Sequence, residues 1–284
     1  MEKFLTVFTP TFNRAYILPK LYQSLANQAN KDFLWLIVDD GSSDGTQELV
    51  EAFRQENKIE IQYIFQENKG KHVAINHGLQ NTTTKFFVVI DSDDFIAKNA
   101  IEEMKILADK IRKDGEVAGF TFIRFSEKVN FDREKYGKKE WLVSGRNDYE
   151  WEFQGEMIYC FKSEIHKKFL FPEFEGEKFC QESLVIRRIE RQYKILFTDK
   201  VLAHGDYLED GLMSNFYALL IKNPKSSLLK LQELYQDELT AAERFYFAKV
   251  YWDIASKSGA SFRTKFFGIN PFLIMKVLFN KLKK

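Results

Sequence analysis

Cysteine and proline are scarce: the 284 residues include two Cys and five Pro. The thiols, Cys160 and Cys180, cannot build a disulfide framework, and no CxxC or Cys/His zinc spacing occurs. A disulfide-stapled scaffold and a zinc module are therefore excluded, and a reducing compartment is the simplest reading. No run approaches the roughly 18 consecutive apolar residues that a spanning helix needs. Met1-Glu2-Lys3-Phe4 enters a strand-like segment directly, without a basic and then apolar leader, so no signal peptide is expected. An excess of one charge sign is missing too. The 42 Lys+Arg stand against 41 Asp+Glu, whereas a chain-wide nucleic-acid binder is strongly basic. The expected location is cytoplasmic.

What the sequence does have is order. Hydrophobic residues make up 45% and charged residues 29%, an ordinary globular balance, with 28 Phe and 12 Tyr. Residues 4–9, 33–38, 59–65, 85–90 and 116–124 read as strands, and 33–38 is a continuous apolar run. Helical spacing lies between them, as at Leu18, Leu21, Tyr22 and Leu25. Alternation at this pitch predicts a doubly wound α/β sheet, whose ligands bind beyond the carboxyl ends of the strands. Four polar clusters fall at those ends: 10–14, 39–44, 66–71 and 91–94. Asp44 is expected to cap a helix over 46–57, with Gln47 three residues on. After about residue 212 the pattern is helical throughout.

The tetrapeptide Asp91-Ser92-Asp93-Asp94 follows an apolar strand. Gathering carboxylates is costly unless a cation compensates. Mg²⁺ or Mn²⁺ takes carboxylate and phosphate oxygens together. An acidic turn capping the next helix is the plainer reading of these four residues taken alone. At Asp39-Asp40-Gly41-Ser42 a strand-end carboxylate can accept hydrogen bonds from a base N–H or a ribose hydroxyl, or can serve a helix turn. Phe12 offers a flat face to a base or belongs to the core. Lys69 and Lys71 flank Gly70 as point charges for a phosphate, or are simply solvated. His72 and His77, five apart, do not share one helix face, so they are expected to pack between helix and loop or to contact substrate rather than bind one metal. No GxGxxG follows the first strand, which argues against a dehydrogenase, and the loop there lacks the Gly-rich basic pattern of a nucleotidyltransferase.

In order and spacing, TPTFNR at 9–14, VDDGSSDGT at 38–46, ENKGKHVAINHGL at 67–79 and DSDD at 91–94 resemble the family-2 glycosyltransferases of the GT-A fold. The resemblance is to the enzymes of bacterial surface polysaccharides. It is strong over about residues 1–125, weaker to about 212, and fades beyond. It implies a GT-A domain over 1–212, with a nucleotide-sugar half to about 125 and an acceptor half over 126–212. A helical extension would fill 213–284. It implies inverting transfer from a nucleotide-diphosphate sugar, UDP favoured, with Mn²⁺ or Mg²⁺. The acceptor would be a hydroxyl of a glycan or lipid-linked glycan. Pro10, Thr11, Phe12 and Arg14 would line the donor site with Asp39, Asp40, Lys71, Asp91 and Ser92. Asp91, Asp93 and Asp94 would meet the metal, with His204 as a further ligand.

Inversion needs a general base on the face opposite the leaving group. The family usually opens a helix there with Glu-Asp; this chain has Gln181-Glu182-Ser183-Leu184, then Arg187 and Arg188. Glu182 is the expected base and Glu177 the fallback. Gln181 leaves an inactive nucleotide-sugar-binding protein of the same fold as the alternative. The stretch 261–284 mixes Arg263, Lys265, Lys276, Lys281, Lys283 and Lys284 with aromatic and aliphatic residues and has no acid. That composition suits either a peripheral helix on the inner face of the plasma membrane or a packed final helix.

Overall fold

The computed structural model describes residues 3–126, 140–143, 156–205 and 215–282. Within the expected acceptor half, 127–139, 144–155 and 206–212 lie outside these, as do residues 213 and 214. Ten strands form one mixed sheet. Four of them are parallel neighbours: β1 (Leu5–Thr11), β2 (Phe33–Asp39), β3 (Glu60–Phe65) and β4 (Phe86–Val89). β5 (Asp94–Ile96), β6 (Val117–Phe125), β7 (Glu140–Val143), β8 (Glu156–Lys162), β9 (Lys194–Thr198) and β10 (Val201–Gly205) complete it. The main order is β3-β2-β1-β4-β8-β6-β10-β5. β8 runs antiparallel to both β4 and β6. The expected α/β class holds, with a sheet that is mixed beyond β4.

The two faces of the central strands explain their unbroken apolar runs. On one face Leu5, Val7, Trp35 and Ile37 pack with Leu18, Leu21 and Leu25 of α1 (Leu18–Ala26). Val50 and Phe53 of α2 (Thr46–Glu56) and Met104 and Leu107 of α4 (Ala100–Ile111) join the same core. On the other face Phe8 stacks on Phe87, with ring centroids 5.1 Å apart. There α3 (Lys71–Asn81) lies so close that a Cβ on Gly78 would stand 2.2 Å from the Phe8 ring. That contact sets a stability prediction. Gly78→Ala is expected to destabilise the fold by about 1–2 kcal/mol. Overpacking costs about 1–3 kcal/mol, against a helix-propensity gain of up to about 1 kcal/mol. Urea denaturation checks it, and an unchanged or raised midpoint would show that helix and strand can part.

Local differences from the sequence reading have physical causes. Pro10 and Thr11 belong to β1 rather than to the loop. Pro10 lies past the Phe8–Val89 end of the β4 pairing, so its missing N–H breaks no ladder there. The N-cap of α2 is Gly45 at φ 84°, not Asp44. The Asp44 carboxylate instead accepts from Thr46 Oγ1 at 2.6 Å and from the Ala15 amide at 2.9 Å. Asp94 opens a short strand that the motif reading did not foresee.

The chain divides into two compact units. The first is Met1–Phe171 with Val185–Leu208; the second is Pro172–Leu184 with Glu209–Lys284. α5 (Ser163–His166) belongs to the first, and α6 (Ser183–Glu190) begins at the last residues of the second unit's first segment. The second unit holds α7 (Phe216–Lys222), α8 (Pro224–Leu234), α9 (Ala241–Lys257), α10 (Phe262–Phe267) and α11 (Pro271–Leu282). Its core joins Leu228, Leu231, Ala248, Tyr251, Ile254, Ile274 and Val277.

Candidate active site

All four polar clusters lie at the carboxyl ends of parallel strands, as expected. Thr11 is in register with Asp39, and Asp39 with Phe65, while Phe8 pairs with Val89 two residues before Asp91. The loops after β1 and β2 are stitched together. Asn13, at φ 52°, donates its amide to Ser42 Oγ at 2.8 Å and accepts from the Ser43 amide at 2.8 Å. Asn tolerates this left-handed backbone better than most residues.

The acidic pair is buried. Asp39 accepts from the Ser42 amide at 2.8 Å and from the Tyr63 hydroxyl at 2.7 Å. Burial first, and then this bond to Asp39, push the Tyr63 phenol above its usual range. Asp40 holds the third loop: it accepts from Gln66 Nε2 at 2.7 Å and from the Lys69 and Gly70 amides at 2.8 Å each. Gln66 in turn meets His77 Nδ1 at 3.1 Å. Gly70 takes φ 95°, ψ 156°, open essentially to glycine alone, and so delivers Lys71 to the first turn of α3. His72 is buried edge-on to Phe171, which fits a packing role for that histidine.

The acidic tetrapeptide resolves into three different environments. Lys71 Nζ lies 2.7 and 2.8 Å from the two Asp91 oxygens. Asp94 is buried and meets Arg124 Nε at 2.7 Å; Arg124 also reaches Glu156 at 3.0 Å. Gly205 makes room for this pair, since a Cβ there would stand 1.8 Å from Asp94 Oδ1. Burial, and then the Asp91 charge, push the Asp94 pKa up to about 7 against the pull of Arg124. Asp93 has no cationic side chain in salt-bridge range among the described residues. Burial, and then repulsion from Asp91, raise its pKa. Ser92 is buried between the two acids.

Around them, Phe12 is 46% exposed, so its ring is available rather than part of the core. Arg14 Nη1 donates to the Tyr16 hydroxyl at 2.5 Å and is near enough to Asp93 to favour its charged form. The Thr11 hydroxyl is buried with no hydrogen-bond partner among the described residues. His204 pairs with Phe95 across β10 and β5 and stacks on its ring at 5.3 Å, while Gly205 faces Asp94. Successive strand side chains point to opposite faces. The His204 ring therefore sits on the face away from the Asp94 carboxylate. Among the described residues no group of three or more His, Cys, Asp or Glu gathers into a metal cluster.

The expected base region belongs to the second unit. Glu182 immediately precedes α6, and Gln181 accepts from Lys230 Nζ at 2.5 Å. The fallback, Glu177, has a structural role instead. Its two oxygens accept the Lys225 and Ser226 amides, at 2.6 and 2.9 Å, in the first turn of α8.

Sequence reasoning missed Arg124, Tyr63 and Gln66. Arg124 carried a legible signal: a lone charge inside the apolar strand VAGFTFIRF needs a buried partner. Tyr63 and Gln66 carried none, because their roles come from the β2–β3 register.

Known proteins resemble this chain in family and fold. The glycosyl transferase family 2 model matches residues 6–173. The chain is 26% identical over 302 aligned positions to a GalNAc(5)-diNAcBac-PP-undecaprenol beta-1,3-glucosyltransferase of Campylobacter jejuni. That alignment covers 96% of this chain and 92% of the relative. A crystal structure of Staphylococcus aureus TarS 1-349 with UDP-GlcNAc superposes at TM-score 0.65 and 18% identity, covering 97% of this chain and 88% of that one. The mannosyltransferase PcManGT of Pyrobaculum calidifontis, with GDP-Man and Mn²⁺, superposes at 0.58 and 16% identity, covering 99% and 81%. The two structures show the shared GT-A fold. With more than half of its length matched by the family model, the chain belongs to glycosyl transferase family 2.

Proposed function

We propose that this glycosyltransferase moves a sugar, with inversion, from a UDP-sugar to a hydroxyl of a lipid-linked or surface glycan, with help from Mn²⁺ or Mg²⁺. The observation that carries the reading is the strand-end constellation. The Phe12 ring is exposed and Lys71 is held at Asp91; among the described residues the Thr11 hydroxyl has no hydrogen-bond partner and Asp93 no cation in salt-bridge range. The C. jejuni relative supports a lipid-linked glycan acceptor, and the UDP-GlcNAc in the TarS structure supports UDP. Two free thiols support a cytoplasmic setting.

The residues suit a divalent ion, because such an ion is commonly bound by one or two carboxylates plus substrate phosphates. Asp91 and Asp93 would hold it; Asp94 is already matched by Arg124. The ion would stabilise the charge of the departing diphosphate. Lys71 adds a point charge for the phosphate oxygens. Asp39 and Asp40 keep acceptor capacity beyond their protein bonds, since a carboxylate has about four lone-pair sites. A base N–H and ribose hydroxyls can use that capacity, with the base on the Phe12 ring. Glu182 takes the proton of the acceptor hydroxyl as its oxygen attacks the anomeric carbon. The bond from that carbon to the diphosphate oxygen breaks on the opposite side. A nucleoside diphosphate leaves, and the configuration inverts.

A thermal-shift screen of UDP, GDP, dTDP and CMP, each with and without Mn²⁺, tests the donor half. Ligand at about 100 times its Kd stabilises by about 2.7 kcal/mol. In a domain of this size that raises Tm by about 5–10 °C. The expected result is a shift with UDP that requires the metal. A shift with GDP alone would overturn the UDP assignment, and no shift with any nucleotide would overturn the site.

A further inference from the structure

We propose that the outward face of α10 and α11 is a docking surface for an anionic lipid bilayer. One side of α11 is buried: Ile274 and Val277 are 0% and 1% exposed within the second unit's core. The opposite side is where a surface helix normally carries its polar residues. Here that side carries Phe272, Met275, Lys276 and Phe279, at the i, i+3, i+4, i+7 spacing of a single face. Phe272 is 79% exposed, Met275 62% and Phe279 58%. α10 adds Phe262 and Phe267, at 69% and 65%. Single exposed apolar side chains are ordinary, but a contiguous patch marks an interaction site.

Charge identifies the occupant. The whole chain carries a formal +1, yet residues 261–284 hold six Lys or Arg and no acid. Arg263, Lys265 and Lys276 are interleaved with the exposed rings. Large apolar side chains among cations of one sign match the acyl boundary and anionic headgroups of a bilayer surface. A protein partner gives no comparable reason to exclude every acid over this length. The helix pair is already folded against α9, so the surface needs no ordering on contact. Among the described residues no helix is long and apolar enough to cross a membrane, so the contact is interfacial. The inference does not depend on the donor or on the metal.

Co-sedimentation of the full chain with phosphatidylcholine vesicles, with and without phosphatidylglycerol, tests it in the absence of nucleotide. Wild-type protein is expected on the anionic vesicles, and high salt should weaken the binding. Phe272→Ser with Phe279→Ser should reduce partitioning about a hundredfold, at about tenfold per ring. Arg263→Gln with Lys276→Gln should reduce it about fivefold per cation, on anionic vesicles only. Binding equal on both vesicle types, or unchanged in the Phe pair, would overturn the proposal. So would a lipid-free dimer in sedimentation velocity that the Phe pair dissociates, which would assign the face to a second copy. All four side chains are exposed, with the Lys276 ammonium 5.3 Å from the Phe245 ring centroid, so circular dichroism should be unchanged. The Arg263/Lys276 pair keeps the test decisive if the Phe variant unfolds.

Discussion

Asp93→Ala is expected to lower kcat/KM for sugar transfer about 100- to 1000-fold. That is the usual cost of removing one group that stabilises charge at the reacting centre, roughly 3–4 kcal/mol. Asp93 is singled out over its neighbours by their partners. Asp91 is already met by Lys71, and Asp94 by Arg124. Asp93 carries a burial cost and the repulsion of Asp91 without a cationic partner in reach among the described residues. A cation together with diphosphate oxygens would relieve both. The same variant is expected to lose the metal-dependent nucleotide shift while keeping its thermal stability without ligand, since no ion pair among the described residues is removed. Steady-state transfer assays with varied donor and metal check this. Activity within about threefold of wild type would place the diphosphate site elsewhere.

Glu182→Gln is expected to lower kcat by about 100- to 10,000-fold, the range for loss of a positioned general base. Donor binding should persist, because the proposed donor-site residues Asp40, Lys71, Asp91 and Asp93 all belong to the first unit. The amide fills the same space but cannot accept the acceptor's proton. The expected signature is therefore a fall in kcat with an unchanged nucleotide shift and an unchanged circular dichroism spectrum. Glu177 is no longer a rival, because both of its oxygens cap α8. If Glu182→Gln transfers sugar at the wild-type rate, the base lies in another segment and the Gln181-Glu182 reading fails.

How much was legible depended on the period of each signal. The runs 33–38 and 86–90 were readable as buried parallel strands because they are apolar at every position and stop at acidic turns. The four strand ends followed from that, and with them the candidate donor site. Features set by tertiary contact were not readable. Pro10 stays within β1 only because β4 ends before it. β9 and β5 are short strands recruited by their neighbours, and Asp94 serves Arg124 because β10 and β6 bring them together. His204 was expected as a metal ligand from the family resemblance. Cross-strand register, which no local pattern encodes, puts its ring on Phe95.

The stitching of the strand-end loops has a consequence for affinity. Asn13, Ser42, Asp44 and Asp40 hold three loops to one another through side chain to backbone bonds. Loops normally lose conformational entropy when a ligand orders them, and that loss is subtracted from the binding free energy. Here much of the ordering is complete before any nucleotide arrives. The donor recognition proposed at these strand ends can therefore rely on few direct contacts, with Asn13, Ser42 and Asp44 tuning it from outside the proposed donor contacts.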